Sequence, residues 1–222
     1  PAPYWVSYSQ IIQLAGGVPG FIQTTVDNDY KFTPEQLQKA ITAKTRMVIF
    51  SSPCNPSGTV YTKSELEAIA RVVQQHNELY IVSDEIYEHI NFSGKHESIA
   101  QFDFIHDRVI IINGVSKGYA MTGWRVGYIG APEWIAKACD KIQGQFTSGT
   151  SSISQKAALA ALRSGGAFFD EMRQTYQRRR DVLVDGLNSI GWKVEKPKAT
   201  MFVWARIPLP YRHMGSLEVS KL

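Results

Sequence analysis

The chain has 222 residues, 44% apolar and 20% charged, with 24 Lys and Arg against 20 Asp and Glu for a formal charge of +4. That length and ordinary composition fit one or two globular cores and exclude disordered, collagen-like and coiled-coil classes. The longest apolar runs, such as Val109–Ile112, fall far short of the ~20 residues a membrane helix needs. Basic residues are scattered, and Arg178, Arg179 and Arg180 point in different directions on a helix, so neither a nucleic acid nor a membrane is expected as a partner. Cys54 and Cys139 form neither a disulfide framework nor a metal-ligand spacing. With no signal-peptide features at Pro1, a cytoplasmic location is expected.

Taken in chain order, Phe21–Val26 alternates as a strand. Thr33-Pro34-Glu35-Gln36 reads as a helix start, with Thr33 capping, Pro34 at the first helical position and Gln36 able to close a capping box. Arg46–Ser51 is rich in β-branched and apolar residues, and the turn formers of SPCNPSG end it. Thr62 and Glu65 repeat the capping box, and Leu66, Ile69, Ala70 and Val73 follow the spacing of one buried helix face. Leu79–Ser83 is the next strand, which completes a βαβ unit and implies parallel pairing.

Val109–Asn113 and Arg125–Ile129 read as two more strands. Only Gly114 to Trp124 separates them, too little for the usual helical crossover, so the last is expected antiparallel in a mixed sheet. Three helices follow, over Pro132–Ile142, Ser154–Leu162 and about Ala167–Leu187, with Thr147–Ser154 a loop. Gly191 and Trp192 break the helical pattern, and Met201–Ile207 reads as a strand of a second layer. The fold class is α/β.

Polar residues collect after successive strands: Asn55, then Asp84 with Tyr87, then Ser116 with Lys117, while Arg125 opens the next strand. Ligands of open α/β sheets bind outside the carboxyl ends of strands. Each residue alone has a structural explanation. Asn55 suits a turn, Asp84 a helix cap, Tyr87 packing, Arg125 a surface ion pair, and a lone Lys117 a solvated loop. Together they form a rarer set. A lysine can form a Schiff base, a carboxylate can pair with a heteroaromatic nitrogen, and Arg with Ser suits a phosphate. Pyridoxal 5'-phosphate has a group for each of them.

The segments SSPCNPSG (Ser51–Gly58), SDEIYE (Ser83–Glu88) and SKGYAMTGWRVGY (Ser116–Tyr128), in that order, resemble the class I and II pyridoxal-phosphate aminotransferases. The opening PYWVSY (Pro3–Tyr8) is similar to the bacterial aspartate aminotransferase branch. From Arg178 onward the sequence is more similar to the alanine or diaminopimelate branch.

The resemblance implies the pyridoxal-phosphate transferase fold (fold type I): a mainly parallel mixed sheet sandwiched by helices. Residues 1–186 would be the cofactor-binding large domain without its N-terminal part, and 187–222 the start of a smaller C-terminal domain. It implies that Lys117 is catalytic and holds the cofactor as an aldimine. Asp84 would bond the pyridine nitrogen, Tyr87 and Asn55 the phenolic oxygen, and Ser116 and Arg125 the phosphate. Trp5 would stack on the ring, and Trp5 and Asn55 would also touch substrate.

The implied reaction is ping-pong amino transfer between an amino acid, aspartate or alanine, and 2-oxoglutarate, in a homodimer whose Thr147–Ser154 loop faces the partner's cofactor. The family's phosphate loop and carboxylate-gripping arginine have no counterpart in this sequence. Elimination chemistry on the same fold, a cofactor-sensing module and a fragment without turnover are the alternatives.

Overall fold

Local chemistry sets two helix starts. The Thr33 hydroxyl accepts the Gln36 backbone N–H, and the Gln36 side-chain oxygen accepts the Thr33 N–H, opening α2 (Pro34–Ala40). Thr62 and Glu65 do the same for α3 (Lys63–Gln74). These reciprocal bonds satisfy N–H groups that a helix leaves unpaired in its first turn. Leu66, Ile69, Ala70 and Val73 of α3 are fully buried, as their spacing requires.

The structure, a computed structural model, describes all residues from Pro1 to Leu222. Four strands form one sheet in the order β1 (Met47–Ser51), β2 (Tyr80–Asp84), β3 (Val109–Gly114), β4 (Gly127–Gly130). The first three are parallel and β4 runs antiparallel to β3. Between β3 and β4 the chain makes only a single 3-10 turn, Thr122–Trp124, so no helical crossover carries it back to the other end of the sheet.

One sheet face packs on α3. Phe50, Ile81, Val109, Leu66, Ile69 and Ile105 belong to a single buried cluster, each side chain contributing about 1.5–3 kcal/mol by leaving water. Tyr80 alternates to the opposite face, where Trp134 of α4 (Glu133–Phe146) meets it edge-on at 5.8 Å. Helices thus flank the sheet on both sides.

Before this body lies α1 (Ser7–Leu14), and after it come α5 (Ser152–Arg163), α6 (Ala167–Ser189) and the short α7 (Ser216–Val219). Helix α6 ends because Gly191 takes φ +86°, which lets its N–H reach the Asn188 carbonyl and the Trp192 N–H reach that of Leu187. This is the paired bonding of a Schellman stop.

Two expected strands are absent. Phe21–Val26 makes only one isolated bridge, Gln23 with Ala2, and the Thr25–Asn28 capping box then winds Val26–Asn28 into a 3-10 turn. Alternation without a partner ladder makes no strand. Met201–Ile207 also lacks a ladder. The pairing falls just before it, where Phe92 N–H reaches the Lys198 carbonyl at 2.9 Å and Thr200 N–H reaches that of Ile90 at 2.8 Å. Thr200 then adopts φ +69° and turns the chain away. Likewise β4 starts at Gly127 rather than Arg125, because Arg125 is left-handed at φ +57°.

Candidate active site

Strand register gathers the polar residues. Ser51 of β1 pairs with Asp84 of β2, Asp84 with Ile112 of β3, and Gly114 of β3 with Gly127 of β4. The ends of three parallel strands and the start of the antiparallel one therefore share one edge. Asp84 is itself the last residue of β2, and Asn55, Tyr87, Ser116, Lys117 and Arg125 follow or precede those ends by a few residues.

Asp84 closes β2. Its Oδ1 accepts the Ile86 N–H at 3.2 Å, and its Oδ2 accepts the Tyr8 hydroxyl at 2.5 Å. Burial pushes the Asp84 carboxyl above its ordinary range. The Tyr8 and Ile86 bonds and the Lys117 charge oppose that rise, and neighbouring Glu85 adds to it. Desolvation of a charged group in a low-dielectric setting is the leading cause.

Tyr87 is only 3% exposed. Burial and the Asp84 charge push its phenol up to about 12, while the nearby Asn55 side chain pulls the other way. Lys117 Nζ lies 6.0 Å from the Tyr87 ring centroid, and Phe202 packs edge-on against the same ring at 5.9 Å. Asn55, Asp84, Tyr87 and Lys117 thus act on one another in one partly buried space.

Lys117 sits in the turn after β3, where the Ala120 N–H bonds its carbonyl at 3.2 Å. The backbone beside it runs against His89: a Cβ on Gly118 would lie 2.6 Å from His89 Cδ2. The His89 ring is stacked on Phe169 with centroids 3.7 Å apart, so only glycine lets the lysine turn approach this closely.

Ser116 and Arg125 are linked through Thr122. The Thr122 hydroxyl donates to the Ser116 carbonyl at 3.1 Å, and Arg125 Nη1 donates to the Thr122 carbonyl at 2.9 Å. Both therefore belong to one turn beside Lys117, with the guanidinium exposed and held by backbone. Trp5 is 43% exposed and meets Tyr8 edge-on at 5.6 Å, one residue removed from Asp84.

Three contributors went unread in the sequence: Tyr8, His89 and Thr122. Tyr8 had a usable signal, since it stands one turn after Trp5 in PYWVSY. His89 and Thr122 have none, because their roles arise only from the packing of distant turns.

Comparison with known proteins then fixes the family. Residues 1–214 match the model described as aminotransferase class I and II. The chain belongs to the class I and II aminotransferases. It is 42% identical to the aspartate aminotransferase of Bacillus subtilis (strain 168), over 100% of this chain and 57% of that protein. It is 44% identical to the bifunctional aspartate aminotransferase and glutamate/aspartate-prephenate aminotransferase of Petunia hybrida, over 92% of this chain and 44% of that one.

Solved structures agree. The aromatic aminotransferase from Pyrococcus horikoshii OT3 superposes with a TM-score of 0.93 at 39% identity, covering 100% of this chain and 60% of that one. The aspartate aminotransferase from Rhizobium meliloti gives a TM-score of 0.87 at 40% identity, covering 90% and 51%. The α/β architecture expected from the sequence is therefore that of pyridoxal-phosphate aminotransferases. This aminotransferase chain spans about half the length of the curated relatives it matches, and the family match runs through Arg178–Asp181.

Proposed function

We propose that the protein containing this chain is a pyridoxal-phosphate-dependent amino-acid aminotransferase, with aspartate as amino donor and 2-oxoglutarate as acceptor. The observation that carries this reading is the meeting of Asp84, Tyr87, Asn55 and Lys117 at the carboxyl ends of β1–β3. The donor set fits the cofactor. Asp84 is a desolvated carboxylate whose bonded donors, the Tyr8 hydroxyl and the Ile86 N–H, are both neutral, so a protonated ring nitrogen supplies the cationic partner that burial calls for. The names of the relatives, several of them aspartate aminotransferases, support the substrate class.

When bound, pyridoxal phosphate supplies an aldehyde that bonds amines and a ring that accepts electrons. The chain's own residues do the rest. Asp84 would keep the ring nitrogen protonated, and Tyr87 with Asn55 would donate to the phenolic oxygen. Ser116 and Arg125 would hold the phosphate, the Arg125 guanidinium keeping further N–H donors free beyond the one bonded to the Thr122 carbonyl. Trp5 would stack on the ring and, with Asn55, would contact the substrate. Lys117 Nζ would be the positioned general base that takes the proton from the substrate α-carbon and holds it for return. A homodimer, with the Thr147–Ser154 segment turned toward the partner's site, and a reducing cytoplasmic setting for the free thiols of Cys54 and Cys139 complete the reading.

Borohydride reduction of the chain mixed with pyridoxal phosphate, followed by peptide mapping, tests it. The label is expected on Lys117, and in a separate sample aspartate added before reduction is expected to release one 2-oxo acid per bound cofactor and to lower the label that reduction leaves on Lys117. Label spread over surface lysines contradicts the site, and ammonia release from a substrate with a β-leaving group would favour elimination.

A further inference from the structure

We propose that Glu85 is a positioning residue: pinned from behind by Ser83, His96 and Ser98, it fixes the turn that presents Asp84 and Tyr87 to the cofactor. The inference rests on the function proposed above for its cofactor side, while the anchor itself stands on geometry alone.

Glu85 is 4% exposed and lies between the two site residues in the chain. Its Oε1 accepts the Ser83 hydroxyl at 2.9 Å and the Ser98 hydroxyl at 2.8 Å, and its Oε2 lies 2.8 Å from His96 Nε2. His96 Nδ1 is buried without a partner. A proton there would be a buried N–H lacking an acceptor, so the imidazole donates to Glu85 through Nε2. Three donors thus hold both carboxylate oxygens. The Ser98 hydroxyl also accepts the Ala100 N–H at 3.2 Å and caps the 3-10 turn Ile99–Gln101, whose Ile99 belongs to the buried core cluster. The anchor is therefore tied to the core.

From this anchor the Glu85 backbone sets the turn. Its N–H donates to the Ile112 carbonyl of β3 and its carbonyl accepts the Glu88 N–H, both at 2.9 Å, while Asp84 Oδ1 accepts the Ile86 N–H. Ser83 and Glu85 share one side of the strand end, and Asp84 between them faces the other. Stability alone does not explain the carboxylate. Burying it beside Asp84 incurs desolvation, and its negative charge opposes the ionisation of Asp84. An apolar side chain of similar size would avoid both costs. What the carboxylate adds is direction, because a fully satisfied polar network holds its members in one arrangement.

The test is Glu85→Gln, which keeps the shape but turns an amide N–H toward the His96 Nε2–H. In the chain without cofactor, hydrogen exchange at the Ile86 and Glu88 amides is expected to rise about tenfold relative to the amides of α3, the worth of one lost bond to a charged group. Ser83→Ala, which removes one hydroxyl and keeps the carboxylate, is expected to give a smaller rise at the same two amides, and it decides the question by itself if Glu85→Gln does not fold. Exchange at these amides that moves only in step with α3 reports mere loss of stability. That result overturns the inference and leaves the proposed function standing.

With pyridoxal phosphate added, the dissociation constant of the cofactor is expected to rise about tenfold in Glu85→Gln, or by less in Ser83→Ala. In Ile105→Val, which loosens only core packing, it is expected to stay unchanged. An unaltered constant in the Glu85 and Ser83 variants, or equal weakening in Ile105→Val, overturns the cofactor side alone. Failure of the unsubstituted chain to bind the cofactor at Lys117 overturns the proposed function and the cofactor side together, and leaves the anchor to the exchange result.

Discussion

Gly58 offers the sharpest structural test, because it joins the Asn55 turn to the returning C-terminal segment. It sits at φ +70°, and a Cβ there would lie 2.5 Å from Pro197 Cβ and 2.7 Å from the Ala199 carbonyl oxygen. Gly58→Ala therefore meets two separate costs. The left-handed backbone costs a non-glycine residue about 1–2 kcal/mol, and forcing an extra methyl into a filled space costs about 1–3 kcal/mol more. Gly191 isolates the first cost: its φ is +86°, and nothing lies within 4 Å of the position an added methyl would take.

At about 2–4 °C per kcal/mol for a chain of this size, Gly191→Ala is expected to lower the melting temperature by about 2–8 °C. Gly58→Ala, summing both costs, is expected to lower it by about 4–20 °C. Thermal unfolding followed by circular dichroism reads both variants under one condition. Equal shifts would refute the reasoning, since they would mean that Pro197 and Ala199 do not crowd the Asn55 turn.

Two further variants probe the site. Gly118→Ala is expected to lower stability by about 1–3 kcal/mol, and the loss should shrink when His89 is also changed to Ala, because the collision is with that ring; urea midpoints of the four-member cycle check it, and a loss that persists without His89 contradicts the packing. Asp84→Asn tests the sign of a titration. Burial raises the folded carboxyl, so between its unfolded value, about 3.9, and the raised folded one, the folded chain holds a proton that the unfolded chain has lost. Stability from this group thus falls as pH rises through that window. The stability of the unsubstituted chain minus that of Asp84→Asn, measured without cofactor, is expected to decline from pH ~4 upward and then level off; a difference that is flat or grows contradicts the burial of Asp84.

Much of this architecture was legible because it is local. Thr33 with Gln36 and Thr62 with Glu65 carry their helix starts in four-residue windows, and the Leu66–Val73 spacing marks the face that α3 buries. The antiparallel β4 followed from chain length alone. Local alternation failed at Phe21–Val26 and Met201–Ile207, where a strand needs a partner that the chain does not bring. The site divides along the same line. Asp84, Tyr87 and Lys117 lie in motifs that follow strands, so chemistry and position agree in the sequence. Tyr8 is signalled only by its place one turn after Trp5, its bond to Asp84 spanning 76 residues, and His89, shaping Gly118 through Phe169, depends on tertiary packing that no window contains.

The whole account turns on one cofactor spanning Lys117 and Asp84, and a crystal structure of the chain grown with pyridoxal phosphate tests this directly. Continuous density from Lys117 Nζ into the ring, with the ring nitrogen about 2.7–3.2 Å from an Asp84 carboxylate oxygen, is the predicted result. A cofactor bound elsewhere, or one joined to Lys117 with its ring nitrogen turned away from Asp84, would contradict it.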